Sequence, residues 1–140
     1  MTLERYARVR VGRLLNRLEK EVQRAATERH ADAVHDLRVS IRRLTQALRA
    51  FRSLLGRKRT RLVRTALREV MTIAAEIRSR DIALELFEAA KVPKDAPACR
   101  QLLKERADGS QRLLAKIRDW HRDRVCEEWR ELLRTAEGTE

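Results

Sequence analysis

Glycine and proline are scarce, four and two in 140 residues, too few for the many turns of a β-sandwich or barrel. Two cysteines, Cys99 and Cys126, make neither a disulfide framework nor a metal-ligand set, and the chain reads as intracellular. No apolar run approaches membrane-spanning length, and the opening MTLERYARVRVGR lacks the apolar stretch of a signal peptide. Aromatic residues are only Tyr6, Phe51, Phe87, Trp120 and Trp129, and none interleaves with basic positions as base-stacking platforms would. A glycine-rich loop and free carboxylate clusters, which phosphoryl transfer would require, are missing too. Asp119, Asp123, Glu127 and Glu128 alternate with Arg118, Arg122 and Arg124 and read as paired helix-surface charges.

What the chain has is charge. Lys and Arg number 33 against 21 Asp and Glu, a net charge of +12. Residues 1–80 hold 21 basic and 8 acidic side chains, and residues 81–140 hold 12 and 13, so the whole excess lies in the first part. Of the basic residues 27 are Arg; its planar fork pairs bidentately with phosphate, which favours a phosphate-bearing partner. Inflated Arg usage explains the count but not its placement. Length and helix-forming composition predict one cytoplasmic all-α domain over 1–134, with 135–140 a frayed tail.

Apolar spacing of three and four predicts basic helices over 3–27, 32–55 and 58–77, and further helices over 81–91 and 98–134. Asp32 reads as the N-cap of the second helix and Gly56 as its stop. The seams are Ala7, Val11, Leu14, Leu18 and Ala25; then Val34, Leu37, Ile41, Leu44, Leu48, Phe51 and Leu55; then Val63, Ala66, Val70, Ile73 and Ile77. Beside each runs a basic row about 100° round the helix. The first row is Arg10, Arg13, Arg17, Lys20 and Arg24; the second is His35, Arg38, Arg42, Arg49 and Arg52, interrupted by Thr45; the third is Arg57, Arg61, Arg64 and Arg68. Ordinary solvated faces mix signs, whereas no acid falls on these rows, and like charges three and four apart destabilise an isolated helix. In an antiparallel four-helix-type bundle the three rows are expected to converge on one anion-binding groove.

The string VHDLRVSIRRLTQALRAF, Val34 to Phe51, with Arg80 and Asp81 further on, resembles the signature of the conserved histidine α-helical domain family, CHAD. His35, Arg38, Val39, Arg42, Arg43 and Leu44 match its His-x-x-Arg-Val-x-x-Arg-Arg-Leu helix, and Arg80 and Asp81 its Arg-Asp pair. The resemblance implies an all-α domain that binds inorganic polyphosphate along a basic channel, without catalysis or cofactor, and association with polyphosphate granules. Carried over by position, His35, Arg38 and Arg42 match the phosphate-facing helix and Arg49 continues it. Arg13, Arg17, Lys20, Arg52, Arg57, Arg61, Arg64 and Arg68 join the site on spacing. The chain departs from the family at Thr45, where another Arg is common, at Ile77, often Gly, and in having material for one helical bundle where members have two. A homodimer that supplies both halves of the channel is therefore expected.

His35 lacks the spacing of a metal ligand, since His30 and Asp36 do not share its helical face. Contact with phosphate or a structural place at the helix start both fit it. The rivals to polyphosphate are nucleic acid, whose backbone asks for the same cations, and an acidic protein partner.

Overall fold

The computed structural model describes residues 1–27 and 31–136 of the chain. It is all-α, with helices α1 (Leu3–Thr27), α2 (Ala31–Ala50), α3 (Arg52–Leu55), α4 (Arg57–Ala89), α5 (Pro97–Arg122) and α6 (Val125–Leu133), and no strand among the described residues.

Residue pairs along the seams fix the directions. Arg24 near the end of α1 pairs with Asp36 near the start of α2 at 2.5 Å, and Tyr6 near the start of α1 packs edge-on against Phe51 after α2, with centroids 6.1 Å apart. The two helices therefore run antiparallel. The same holds for α4 and α5, through Lys116–Glu69 and Arg80–Glu105, both at 3.1 Å. The described C-terminal segment returns along α1: Arg130 pairs with Glu19 at 3.0 Å, and the Ala136 N–H donates to the Arg8 carbonyl. Between these helices lie Val11, Leu15, Leu18, Leu37, Ile41, Leu44, Leu48, Val63, Leu67, Val70, Ile117 and Leu133, all 2% exposed or less. Trp120 and Trp129 close one side of the core in a T-shaped contact at 5.3 Å.

Several boundaries differ from those the sequence predicts. The helices expected at 58–77 and 81–91 are one helix, α4, because no glycine or proline stands between Gly56 and Pro93 to stop it. Arg80 and Asp81 therefore sit inside a helix and open none. Conversely, the helix expected at 98–134 is two: Asp123 and Arg124 turn the chain between α5 and α6, with Arg124 at φ 53°, so that Trp129 folds back onto Trp120. The helix expected at 32–55 breaks for one residue at Phe51. Asp32 lies in the first turn of α2 and is not its cap. The inward face of α4 carries Leu67 and Ala74, with the expected Ala66 and Ile73 half-buried beside them; both sets repeat at seven, and packing against the neighbouring helices selects which flank goes inside. Of the expected tail, Thr135 and Ala136 are hydrogen-bonded to Arg130 and Arg8, and 137–140 lie outside the described residues.

Two glycines shape the bundle. Gly56 holds φ 104° between α3 and α4, a conformation open to glycine and strained for any residue with a Cβ. Gly109 lies where a Cβ would come within 3.1 Å of Ile77 Cγ1, so its bare Cα lets α5 approach α4 closely. It does not interrupt the helix.

Candidate anion-binding cleft

A cavity of about 220 Å³ opens between α2 and α4. Arg42, Thr45, Gln46 and Arg49 line it from α2, and Arg64, Arg68 and Met71 from α4. On α2 the core residues Leu37, Ile41, Leu44 and Leu48 lie one position before Arg38, Arg42, Thr45 and Arg49, which sets the second group about 100° round the helix, on the flank that meets α4. Arg64 and Arg68 likewise follow the buried Val63 and Leu67.

Four guanidinium groups thus line one cleft, and no carboxylate among the described residues pairs with any of them. The Arg64 guanidinium is held below its ordinary pKa, first by loss of surrounding water and then by the charges of Arg49, Arg52, Arg61 and Arg68. Its Nε is buried with no hydrogen-bond partner, and the same is true of Arg38 Nε on α2, one turn before Arg42. Burying a charged donor without an acceptor is costly; Arg64 bears that cost in the cleft lining, and Arg38 bears it just outside. Arg52 donates from Nη1 to the Arg49 carbonyl at 3.1 Å, and the Thr45 hydroxyl donates to the Ile41 carbonyl at 2.8 Å.

The other basic positions divide. Arg61 is exposed on α4 and belongs electrostatically to the cleft through Arg64; Arg57 is exposed at the first position of the same helix. His35 is exposed on α2, outside the cavity lining. The row on α1 does not join. Asp36 and Phe51 place α1 on the flank of α2 opposite α4, so Arg13, Arg17 and Lys20 lie beyond α2 from the cavity. The expected convergence of three rows is therefore a convergence of two.

Glu21 explains what the α1 row does instead. It occupies a core position, three after Leu18, and is 6% exposed. Its carboxylate takes Arg17 at 3.1 Å and Arg24 at 3.7 Å. The row that looked free of acids has a buried acid beside it, legible in the sequence as four after Arg17 and three before Arg24. Gln46 and Met71 were also missed; neither is charged, and only the packing of α2 on α4 brings them to the cleft.

The far side of α4 is balanced. Glu69–Lys116 at 3.1 Å, Glu76–Arg112 at 2.6 Å, Arg80–Glu105 at 3.1 Å and Asp81–Arg106 form a ladder to α5. The Arg80–Asp81 pair is thus a fastening between two helices. A second cavity, about 260 Å³, lies within this ladder and is walled by both signs of charge. Among the described residues no group of three or more His, Cys, Asp or Glu side chains is placed to hold a metal ion, and no helix is long and apolar enough to cross a membrane.

The family model for the CHAD domain matches residues 9–140. The chain belongs to the CHAD family. That match takes in most of α1 and the whole of α2 to α6, so the α2/α4 cleft and the α4/α5 ladder both lie within the CHAD domain. No curated protein and no solved structure matches the chain.

Proposed function

We propose that this CHAD domain binds inorganic polyphosphate, without chemistry of its own, in the cleft between α2 and α4. The observation that carries the reading is the set of four arginines lining one cleft with no carboxylate among the described residues to neutralise them. Family membership supplies the choice of anion, since CHAD domains are associated with polyphosphate binding.

A linear polyanion laid along α2 from Arg38 to Arg49 would run beside about 16 Å of helix rise, with Arg64 and Arg68 facing it from α4. Guanidinium forks suit the pairs of oxygens that each phosphate presents. Several contacts made together favour long chains over short ones, and each neutralised phosphate releases counterions, so affinity falls steeply with salt. Retention at polyphosphate granules would follow from such binding.

The test is competition at fixed ionic strength between long-chain polyphosphate, duplex DNA and single-stranded RNA of matched charge. Preferential retention of polyphosphate supports the reading. Equal retention of all three would make the domain a general polyanion binder, and preference for a nucleic acid would overturn the assignment.

A further inference from the structure

Beyond Arg68 the outward face of α4 changes character. Thr72, Ala75, Ser79, Ile82, Leu86 and Ala89 follow one another at spacings of three and four and carry no charge. All six are exposed, Leu86 by 65% and Ile82 by 43%. A helix in this bundle needs one apolar seam, and α4 already buries Val63, Leu67, Val70, Ala74 and Ile77. The second row is a separate seam, with the heptad spacing by which helices pair.

We propose that this seam joins two copies of the chain, α4 against α4, antiparallel about a two-fold axis near residues 80 and 81. The sequence of the seam is complementary to its own reverse. In that register Ser79 faces Ile82 of the other copy, Ala75 faces Leu86, and Thr72 faces Ala89, so a small residue meets a larger one in both central layers, as close helix packing requires. The flanking charges agree. Arg78 and Glu85 stand on the same side of the seam, 3.9 Å apart within one helix and both more than half exposed. The two-fold axis sets each Arg78 across from Glu85 of the other copy, so opposite signs meet at both ends.

Charge also selects this face over others. A chain of net +12 repels its own copies across most of its surface, and the excess is concentrated before Arg80, whereas this seam is neutral and its flanks are mixed. The pairing leaves each α2/α4 cleft whole in its own chain, with the two Arg68 residues about 37 Å apart along the joined helices. It differs in this from the expected dimer whose halves share one channel.

Sedimentation equilibrium of the full chain over a dilution series tests the interface. The expected result is a monomer–dimer equilibrium that Leu86→Glu shifts at least tenfold toward monomer. Arg78→Glu alone, which sets like charges against each other at both ends, should also weaken the dimer, and adding Glu85→Arg should restore it. Leu86, Arg78 and Glu85 are exposed, so helicity should not change. A monomer at every concentration, a dimer untouched by Leu86→Glu, or a charge reversal that fails to restore association would overturn the proposal.

Discussion

At the scale of single residues, the surroundings of Glu21 and of Arg64 show arginine put to two uses. Glu21 consumes Arg17 and Arg24 internally, whereas Arg64 is left among four other arginines with its Nε unpartnered. Replacing Glu21 by Ala should lower stability by about 1 kcal/mol, since Arg17 is largely exposed and Arg24 keeps Asp36, while polyphosphate affinity stays within about twofold. Thermal unfolding and a binding titration on the same variant check both. Arg64→Met should do the reverse: relief from neighbouring like charge raises the unfolding midpoint of the free protein, and loss of one phosphate contact makes the plot of log affinity against log salt less steep by about one. Cys126 supplies a pH test. Burial pushes its thiol up to about 12 from 9.0, so the folded chain keeps a proton that the unfolded chain releases above pH 9. Unfolding free energy should therefore decline from about pH 9 upward, and thiol alkylation at pH 8 should spare Cys126 until the protein is denatured.

At the scale of elements, the seams of α1 and α2 were legible because core positions repeat at three and four, unbroken in α2 and broken in α1 only where Glu21 stands, and the basic rows beside them followed from the same phase. The length of α4 was not. An Arg-Asp pair reads as the start of a helix, yet with no glycine or proline near it the helix simply continues, and its partners Glu105 and Arg106 are 25 residues away. The turn at Arg124 was hidden for the opposite reason, since an arginine at positive φ leaves no compositional mark. Which flank of α2 meets α1 also depends on packing, and this decided that two basic rows share a cleft and the third does not. The close approach of α4 and α5 rests on Gly109. Gly109→Leu should force Ile77 and its neighbours apart and destabilise the bundle by about 1–3 kcal/mol, whereas replacement of the exposed Ala107 by Leu should leave the denaturation midpoint unchanged.

At the scale of the whole molecule, the charge is sorted by face. The α4/α5 side cancels acid against base, the α1/α2 side buries an acid among its arginines, and the α2/α4 side keeps an unneutralised cleft. That asymmetry ties the net charge to the proposed binding cleft, and it makes two variants comparable that a uniformly basic protein would not distinguish. The most direct measurement is therefore polyphosphate affinity of Arg42→Glu/Arg68→Glu beside Arg13→Glu/Lys20→Glu, which change net charge by the same amount in the cleft and on α1. A loss of tenfold or more confined to the cleft pair, with its shallower salt dependence, is the predicted result. Equal losses in the two would contradict a localised site and leave only the net charge as the attraction.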